Sequence, residues 1–488
     1  MRIPLDRDRD EPLFRQIEHW LRDVIVSGGL PPSTRLPSSR ALASDLGVSR
    51  VTVANAYAEL ERDGLIASRE GSGTFVAAPV SMPPSAPESD GQTWPLWQQE
   101  SRRSPAGDTA LARPPHPELI AFTGVGDPRM FPISEFARTI KEVLARDGTA
   151  ALEYGPFDHG YGPLRETVVQ LLASQGIHTN AHQVLITSGS QQAIALTCQA
   201  LLKEGDTVLV EQPTYNLALD MFRALGLTVV GVPVDEHGMV VELVEDVLQQ
   251  HHPRLIYTIP NFQNPTGASL SGTRRRRLLT LAARYNIPIL EDDFVGDLRY
   301  EGRALPAIKA LDKVGQVIYV GTFSKLLMPG LRVGFLVADG PILEQLGVRK
   351  QVQDLTTSPL MQRIVDRYVT VGRYQAHLRR TTRAYRARRD ALRAAVHEFL
   401  PGTTVAPSHG GLFAWLRLSG SVSTQTLVSY ALDEGVDFAP GNRFFADPTD
   451  GDHFLRLNFA TRTPDEISQG TRRLAVAVHR ANAVQPGV

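Results

Sequence analysis

Several features are scarce in this chain of 488 residues, and each scarcity narrows what the protein can be. Cys198 is the only cysteine, which excludes an intramolecular disulfide and suits a reducing compartment. No run approaches the ~20 apolar residues that span a bilayer, and the charged N-terminus does not resemble a signal peptide. The formal net charge of −1 gives no overall basic excess, so contact with nucleic acid would need a local patch. We therefore expect a cytoplasmic protein.

Length and composition predict two or three soluble domains with sizeable cores, because 42% of the residues are hydrophobic and 21% are charged. Composition divides the chain into a first domain over residues 1–78, a linker over 79–117 and a large domain over 118–488. The linker is rich in proline and polar residues and cannot bury enough apolar surface to offset its ordering entropy. We therefore expect a flexible tether.

The first domain has the pattern of three short helices followed by a hairpin. Apolar residues recur at helical spacing over residues 13–25. A second helix is expected over residues 40–46, where Gly47 ends it, and a third over residues 50–62. Two helices joined by such a tight turn are typical of a helix-turn-helix. Gly71-Ser72-Gly73 then predicts the turn of a two-stranded wing.

This domain resembles the winged helix-turn-helix of GntR-type transcription regulators. The resemblance is carried by Leu36-Pro37-Ser38-Ser39-Arg40-Ala41-Leu42-Ala43, Gly47-Val48-Ser49-Arg50-Val51-Thr52-Val53, Tyr57, Leu60, Gly64-Leu65-Ile66 and Gly71-Ser72-Gly73-Thr74-Phe75-Val76. It implies binding to double-stranded operator DNA, where the N-terminal residues of a recognition helix reach base edges and wing glycines allow a close backbone approach. The expected DNA-binding residues are Arg40, Ser49, Arg50, Thr52, Gly71 and Gly73.

A small three-helix interaction module is the alternative for this domain. Residues 1–79 contain 10 arginines and no lysine against 11 acidic residues, so DNA binding requires the arginines to be gathered on one face. A single domain of this size offers little contact area. Specific binding therefore implies a dimer that reads two half-sites.

The large domain alternates short apolar runs with helical patterns, which predicts a largely parallel α/β sheet. Ligands of such sheets lie at the carboxyl ends of strands, and polar motifs follow five of the predicted strands. The motifs are Ser188-Gly189-Ser190-Gln191-Gln192, Glu211-Gln212-Pro213-Thr214-Tyr215, Asn261-Phe262-Gln263-Asn264-Pro265-Thr266-Gly267, Glu291-Asp292-Asp293 and Thr322-Phe323-Ser324-Lys325. Each alone is an ordinary turn or cap, but together they predict one ligand site.

Lys325 lies among hydroxyl side chains and shortly before Arg332. A lysine amine can form a Schiff base with an aldehyde, while hydroxyls and a guanidinium can bind a phosphate. The small residues of 188–192, at the start of a predicted helix, offer free backbone amides to the same kind of group. The pattern therefore favours an aldehyde cofactor that carries a phosphate.

Most of residues 118–488 resemble the fold type I aminotransferases, which use pyridoxal 5′-phosphate and add a smaller C-terminal α+β domain to the large one. The resemblance implies that Lys325 forms the internal aldimine, Asp292 pairs with the pyridinium nitrogen and Asn264 bonds the O3′ oxygen. It also implies that Tyr215 stacks on the ring. The other cofactor-binding residues that it implies are Gly189, Ser190, Gln191, Thr322, Ser324 and Arg332, with Ser190, Gln191, Ser324 and Arg332 on the phosphate.

Two further residues match the family at the substrate side. Arg456 matches the arginine that binds a substrate α-carboxylate with a bidentate pair, and is the expected effector-binding residue. Tyr154 matches the loop that reaches into the partner subunit's cofactor site, which implies an obligatory homodimer. No metal is expected.

One position departs from the family. Aminotransferases of this type have a tyrosine two or three residues after the pyridinium aspartate, where this chain has Phe294 and Val295. Without that hydroxyl donor to O3′, the internal aldimine is expected to stay protonated to higher pH. Imine exchange needs no such donor, whereas the later proton transfers of transamination are expected to be weakened.

Arginines crowd two predicted helices. Arg274-Arg275-Arg276-Arg277 begins one, and further arginines lie along residues 379–393 of another. The simplest expectation is a solvated or ion-paired helix face. The alternative is that the second set supports DNA.

A GntR-type reader joined to an aminotransferase-like body is the layout of the MocR/GabR family of bacterial regulators, which the chain resembles end to end. The resemblance implies a head-to-tail, domain-swapped homodimer. It would sense a small amine or amino-acid effector, or pyridoxal 5′-phosphate itself, through aldimine exchange at Lys325 and thereby alter operator binding. Two alternatives remain, an active aminotransferase that carries a DNA-binding domain and a body that no longer holds cofactor.

Overall fold

The chain folds into two compact units, Met1–Ser104 and Pro105–Val488, in the computed structural model. Gly71 and, apart from residue 95, the predicted linker 79–117 lie outside the described residues. No helix in the described part of the chain is long and apolar enough to cross a bilayer. The structure describes residues 3–7, 11–69, 72–77, 95, 118–155, 159–420 and 422–484.

The first unit contains the three helices and the hairpin that the sequence predicts. Ser38 accepts a hydrogen bond from the Ala41 backbone N–H at 3.2 Å and caps the second helix, which Gly47 ends in the left-handed conformation. Ser49 caps the third helix by accepting from the Thr52 backbone N–H at 3.1 Å. The elements are α1 (Leu13–Val26), α2 (Ser39–Leu46), α3 (Arg50–Arg62), β1 (Ile66–Arg69) and β2 (Gly73–Val76).

A small apolar core holds this unit together. Ile17, Leu21, Val53 and Leu60 are fully buried where α1 and α2 pack on α3. Burial of each such side chain contributes ~1.5–3 kcal/mol relative to exposure. The same packing leaves Arg50, at the start of α3, exposed to solvent.

The second unit is built around a sheet of eight strands. The strands of this unit are β3 (Ile120–Ala121), β4 (Val184–Thr187), β5 (Thr207–Gln212), β6 (Thr228–Asp235), β7 (Gly238–Met239), β8 (Leu255–Thr258), β9 (Ile289–Asp293), β10 (Val317–Thr322), β11 (Gly334–Val337), β12 (Thr404–Val405), β13 (Phe413–Arg417), β14 (Val436–Asp437), β15 (Ala439–Pro440) and β16 (Phe454–Asn458). The eight strands have the order β4-β11-β10-β9-β8-β5-β6-β7 from edge to edge. Five of them, β10, β9, β8, β5 and β6, are parallel, while β11 and the edge strand β7 run antiparallel to their neighbours. The prediction of a largely parallel sheet is confirmed.

The five polar motifs belong to β4, β5, β8, β9 and β10, which all run in one direction, so their carboxyl ends share one edge of the sheet. Three strands continue further than the sequence predicts. Glu211 lies within β5, Asp292 within β9 and Thr322 within β10, rather than after them. Polar residues continue these strands because their side chains are buried and hydrogen bonded inside the unit.

A second, smaller sheet of four antiparallel strands, ordered β12-β13-β16-β15, forms the C-terminal part with the last helices of the chain. It supplies Phe413 from β13 and Arg456 from β16 to the site described below. The helices are α4 (Ile133–Asp147), α5 (Gly162–Ser174), α6 (Ser190–Leu201), α7 (Asn216–Ala224), α8 (Val244–His251), α9 (Gly272–Arg284), α10 (Ile308–Leu311), α11 (Pro341–Asp354), α12 (Pro359–Thr370), α13 (Arg373–Phe399), α14 (Thr424–Asp433) and α15 (Pro464–Val484).

The arginine-rich helices are only partly the solvated or ion-paired faces that the sequence predicts. On α9, Arg274 pairs with Asp235, but Arg275 is completely buried and donates hydrogen bonds to neutral oxygens, mostly backbone carbonyls. On α13, Arg388 and Arg389 are also buried. The prediction is wrong for Arg275, because charge alone does not reveal which side of a helix packs inward, whereas Arg388 and Arg389 are ion-paired with Asp127 and Glu301.

Candidate functional site

A cavity of about 200 Å³ lies at the shared carboxyl edge of the large sheet. The smaller sheet closes it from the other side through β13 and β16. The cavity brings together predicted site residues from all five motifs, plus Arg456. Its lining is Gly124, Val125, Ser190, Tyr215, Asn216, Leu217, Ile259, Asn264, Asp292, Phe294, Lys325, Leu412, Phe413 and Arg456.

Asp292 presents a single free carboxylate oxygen to this cavity. Its Oδ2 accepts a hydrogen bond from the Tyr257 hydroxyl at 2.9 Å, while Oδ1 is buried with no partner among the described residues. Burial raises the pKa of Asp292 to about 7, and the hydrogen bond from Tyr257 opposes that rise. An unpaired buried carboxylate oxygen needs a donor, and a cationic N–H group would satisfy it.

Lys325 extends from the end of β10 into the same cavity. Burial lowers the pKa of its amine, Asp292 opposes the shift, and the guanidinium groups of Arg332 and Arg456 add to it. A lysine with a lowered pKa has more of the neutral, nucleophilic form near pH 7 than an ordinary surface lysine. The amine is therefore suited to condense with an aldehyde.

An anion cradle adjoins the amine at the start of α6. Gly189 has φ +101°, and a Cβ atom there would lie 2.9 Å from Arg332 Nη2, so only glycine leaves room for the guanidinium. Arg332 donates to the Ser188 carbonyl at 2.8 Å. The Ser324 hydroxyl is buried with no partner among the described residues. Free backbone amides, a guanidinium and an unpaired hydroxyl form a suitable phosphate site.

Arg456 is held between two aromatic rings and carries an unpaired charge. Its guanidinium lies 4.1 Å from the Phe413 ring centroid and 4.8 Å from that of Phe444. Nη1 donates to Asn264 Oδ1 at 2.8 Å, whereas Nε is buried with no partner among the described residues. Burial lowers the pKa of Arg456 to about 9. Because Asn264 accepts from Arg456, its amide nitrogen is the group left to donate to a ligand.

Phe294 occupies one of the two positions at which aminotransferases of this type have a tyrosine. Its ring is buried, lines the cavity and stacks on Phe413 with centroids 6.3 Å apart and planes at 25°. Tyr215, which also lines the cavity, lies at the start of α7, and burial raises its pKa to about 12, so it stays a neutral phenol. The wall beside Lys325 is therefore aromatic and apolar.

Several predicted cofactor residues do not line the cavity. Thr322 accepts from the Ser324 backbone N–H at 3.1 Å and shapes the turn that carries Lys325. Gln191 donates to the Leu217 carbonyl at 3.3 Å. Tyr154 is 65% exposed and lies outside the cavity of its own chain.

Sequence reasoning missed two residues that support the site. Tyr257, fully buried in β8, fixes Asp292. Arg275 donates to the Pro260 carbonyl at 2.8 Å and to Asn261 Oδ1 at 2.7 Å, at the start of the loop that carries Asn264. For Arg275 the signal was available, because it lies on the same helical face as buried Leu278.

In the first unit, the predicted DNA-contacting residues cluster at the starts of α2 and α3. Arg40 and Arg50 are exposed and have no carboxylate partner among the described residues, whereas Arg62, at the other end of α3, pairs with Glu59. Ser49 and Thr52 bond each other through their hydroxyls at 2.8 Å. The exposed cations Arg40 and Arg50 therefore lie at the N-terminal ends of α2 and α3, respectively.

Further arginines that the sequence analysis did not single out lie on the wing, before α2 and before α1. Gly73 has φ +111°, and a Cβ atom there would lie 3.0 Å from Arg35 Nε, so this glycine makes room for an arginine. The Arg69 guanidinium lies 5.6 Å from the Phe75 ring centroid. Arg7 donates to the Gly47 carbonyl at 2.9 Å, at the turn between α2 and α3. None of these arginines has a carboxylate partner within the described ranges.

Both units match known families. Residues 13–76 match the family described as bacterial regulatory proteins, gntR family. Residues 123–474 match aminotransferase class I and II. The kynurenine aminotransferase of Pyrococcus horikoshii, whose crystal structure is a complex with PMP, has a TM-score of 0.71 and 37% sequence identity to this chain. That similarity covers 74% of this chain and 91% of the archaeal protein.

Over almost its full length, the chain is similar to transcription regulators. The probable rhizopine catabolism regulatory protein MocR of Rhizobium meliloti is 33% identical over 485 residues, covering 97% of this chain and 95% of that protein. The HTH-type transcriptional regulator TauR of Rhodobacter capsulatus is 32% identical over 486 residues, covering 95% and 96%. The chain belongs to this MocR-type family of regulators. The regulator joins a GntR helix-turn-helix to an aminotransferase-class domain, and the predicted fold class is confirmed.

The cofactor of the regulator's aminotransferase-class domain is pyridoxal 5′-phosphate, and the residues present fit it. The unpaired Oδ1 of Asp292 suits a protonated ring nitrogen, and the amine of Lys325 suits the aldehyde. The cradle of Gly189, Ser324 and Arg332 suits the phosphate. The chemistry of this donor set therefore matches the group that the fold family implies.

Proposed function

We propose that this regulator senses a small amino compound by covalent exchange at Lys325 and that the exchange alters its binding to operator DNA. The observation that carries the proposal is the cavity itself. It combines a buried amine of lowered pKa with the Asp292 Oδ1 oxygen and the Arg456 Nε group, neither of which has a partner among the described residues. Pyridoxal 5′-phosphate supplies an aldehyde that condenses with amines and a ring that withdraws electrons.

The exchange balances without an oxidant, a reductant or water. With the cofactor bound, the amine of the effector would replace the Lys325 nitrogen on the aldehyde carbon, and Lys325 would be released as a free amine. Two protons would pass from the incoming amine to the lysine nitrogen. Lys325 then needs space in the cavity, while a carboxylate on the effector pairs with Arg456.

Arg456 and Asn264 link ligand binding to the position of the two sheets. Arg456 belongs to β16 of the smaller sheet, whereas Asn264 follows β8 of the large one, and their side chains are joined at 2.8 Å. A carboxylate bound to Arg456 would compete for the same guanidinium. The effector would therefore bind with different affinity to the arrangement in which Arg456 contacts Asn264 and to the one in which it does not. Such a difference in affinity is required if effector binding is to change DNA binding.

We also propose a homodimer. Val348 and Val352, one turn apart on α11, are 62% and 83% exposed, and Leu152 and Tyr154 are 68% and 65% exposed. Exposed apolar side chains such as these are suited to be covered by a partner subunit. In the dimer, Tyr154 would lie against the cofactor of the partner subunit, and two first units would read two half-sites.

An aminotransferase that also binds DNA is the second candidate. The aminotransferase-class domain favours it, whereas Phe294 removes a hydroxyl donor from beside the cofactor. The two candidates differ in turnover. The sensor exchanges its imine once per effector bound, while the enzyme converts many equivalents of amino acid and keto acid.

The test uses the cofactor-loaded protein and the DNA upstream of its own gene. We expect an amino compound that changes the absorbance of the bound cofactor to change DNA affinity at the same concentration, without catalytic keto-acid formation. An absorbance change that left DNA affinity unaltered would refute the sensing role. Sustained turnover with no effect on DNA would favour the enzyme.

A further inference from the structure

We propose that the outward face of α3 reads A·T base pairs in the operator, with Asn55 bound to an adenine and Val51 packed against a thymine methyl group. The inference concerns recognition of the DNA sequence and is independent of the sensing proposed at Lys325. It rests on DNA binding by the GntR-type unit. In that unit α3 is the second helix of the helix-turn-helix, the helix that enters the major groove in proteins of this class.

The two sides of α3 differ in what they contact. One side packs against α1 and α2 and carries the buried residues of the helix, which are Val53, Ala56, Tyr57 and Leu60. At 3.6 residues per turn, the side opposite to these residues faces away from the core of the unit. Over the first turns of the helix it carries exposed residues, which are Val51, Ala54, Asn55 and Ala58.

This exposed face is uncharged, whereas charged residues lie around it. Arg40 and Arg50, at the starts of α2 and α3, are exposed and can bind phosphates. The acidic residues of α3 lie in its last turn, where Glu59 is ion-paired within the helix and Glu61 accepts a hydrogen bond from the Ser68 backbone N–H at 2.7 Å. Phosphate contacts orient a protein on DNA, and other side chains read the base edges. The uncharged face is therefore the one suited to base edges.

Asn55 selects adenine through the arrangement of its donor and acceptor. Its side-chain amide is exposed and makes no hydrogen bond to another described residue. In the major groove adenine offers an acceptor, N7, beside a donor, the N6 amino group, and an amide can bond both at once. Guanine offers two acceptors there, cytosine one donor and thymine one acceptor. Only adenine therefore pairs with both groups of the Asn55 amide.

Val51 supplies an apolar contact beside that amide. It is 66% exposed and lies one turn before Asn55 on the same face. The exposed residues next to them, Ala54 and Ala58, project only a methyl group, so the helix can come close to the bases. Thymine presents a methyl group in the major groove, and an apolar side chain packs against it. Burial of one such group corresponds to about a fourfold gain in affinity.

The spacing of Val51 and Asn55 restricts where the two bases lie. Side chains four residues apart on a helix have Cβ atoms ~5–6 Å apart. Successive base pairs are ~3.4 Å apart along DNA. The thymine and the adenine therefore belong to one base pair or to base pairs no more than about two steps apart.

The experiment selects duplexes from a randomised DNA library with the full-length, cofactor-loaded protein and then changes single groove atoms of the selected site. Deoxyuridine in place of thymidine removes only the methyl group, and 7-deazaadenine in place of adenine removes the N7 acceptor. We expect a thymine whose change weakens binding about fourfold and, within about two base pairs, an adenine whose change weakens it about fivefold or more. Both changes alter atoms of the major groove, so a wing that reads the minor groove would not respond.

Matched variants assign each contact to one side chain. In Val51→Ala the loss caused by deoxyuridine should fall to within about twofold, while the loss caused by 7-deazaadenine persists, and Asn55→Ala should show the reverse. Val26→Ala removes the same atoms from another exposed valine, 72% exposed at the end of α1, and should leave both losses unchanged. Alanine is the best helix former, so each of these exposed substitutions preserves the fold.

Three results would overturn the inference. If either loss were unchanged in the variant of its assigned side chain, or fell equally in Val26→Ala, that side chain would not be the reader. Selected sites without an A·T pair would also contradict it. If the protein selected no duplex, DNA binding itself would fail, and this inference with it. Exchange at Lys325 is followed separately by the absorbance of the bound cofactor, so its failure would be distinguishable from all three.

Discussion

The Tyr257 hydroxyl donates to one oxygen of Asp292 at 2.9 Å, and the other oxygen of that carboxylate lies buried with no partner among the described residues. The tyrosine ring is fixed in turn by Phe222, edge-on at a centroid distance of 5.6 Å. Tyr257 thus holds the carboxylate in one orientation and favours its charged form. We propose that Tyr257 is a positioning residue, which orients Asp292 toward the ring nitrogen of the cofactor.

Tyr257→Phe should weaken cofactor binding by about tenfold or more, since a hydrogen bond to a charged group contributes ~1.5–3 kcal/mol. Titration of cofactor-free protein with pyridoxal 5′-phosphate measures the affinity. Tyr319→Phe is the control, because the Tyr319 hydroxyl donates in the same way to the neighbouring Asp293 at 3.0 Å, and Asp293 does not line the cavity. Equal losses in the two variants would contradict the role of Tyr257.

The raised pKa of Asp292 predicts a pH-dependent stability of the cofactor-free protein. The folded group has a pKa of about 7 against an ordinary value of 3.8, so between these values the folded chain binds more protons than the unfolded chain. The contribution of Asp292 to the free energy of unfolding therefore falls as pH rises through that window and is constant above it. The Asp292→Asn variant has no ionisable group at this position.

Cofactor-free Asp292→Asn should therefore gain stability relative to the natural chain on going from about pH 5 to about pH 8, by roughly 2 kcal/mol. Denaturant unfolding at the two pH values measures the difference. The same substitution should weaken cofactor binding, because the ring nitrogen loses its carboxylate. A stability difference independent of pH would show that Asp292 is not the group that titrates.

Arg275 and Arg276 are adjacent in sequence, but their substitution should have very different effects on the free energy of unfolding. Arg275 is fully buried and donates four hydrogen bonds at 2.7–2.9 Å, whereas Arg276 is exposed. Arg275→Met leaves buried acceptors unpaired and should cost about 3 kcal/mol or more in the free energy of unfolding. Arg276→Met should stay within about 0.5 kcal/mol. Similar values for both variants, from chemical denaturation, would refute this assignment.

Lys325, Asp292 and Tyr257 show why part of the site could be predicted from the sequence and part could not. Lys325 and Asp292 belong to motifs at strand ends, where the residue types indicate the chemistry and parallel strands bring the ends together. Tyr257 is 35 residues from Asp292 in sequence. It meets the carboxylate because β8 and β9 pair with Tyr257 beside Leu290, two residues before Asp292. Strand register of this kind is not written in a single sequence.

The first unit was the more predictable part, because its signals are local. Ser38, Gly47 and Ser49 cap or end helices through bonds to residues a few positions away. The contacts of Arg35 with Gly73, by contrast, depend on how the segment before α2 pairs with the wing. Local capping can be predicted from residue types, whereas contacts between distant segments need the fold.

Two arginines of α3 should separate DNA contact from general charge. Arg50 is exposed at the N-terminal end without a carboxylate partner among the described residues, whereas Arg62 pairs with Glu59 at the other end. Arg50→Ala should weaken binding to operator DNA by ~1–3 kcal/mol if it reads a base, or lower the salt dependence by about one phosphate contact. Arg62→Ala should change affinity by less than about twofold. Binding isotherms at several salt concentrations decide between these outcomes, and equal losses would remove Arg50 from the interface.

The central claim, that imine exchange at Lys325 is the switch, is tested most directly by locking the imine. Borohydride reduction of the cofactor-loaded protein converts the bond between Lys325 and the cofactor into a secondary amine that no effector can displace. The measurement is operator affinity of reduced and unreduced protein, each with and without an amino acid that shifts the cofactor absorbance of the unreduced form. We predict that the reduced protein binds DNA as the effector-free protein does and no longer responds. A response of the same size in the reduced protein would contradict the account.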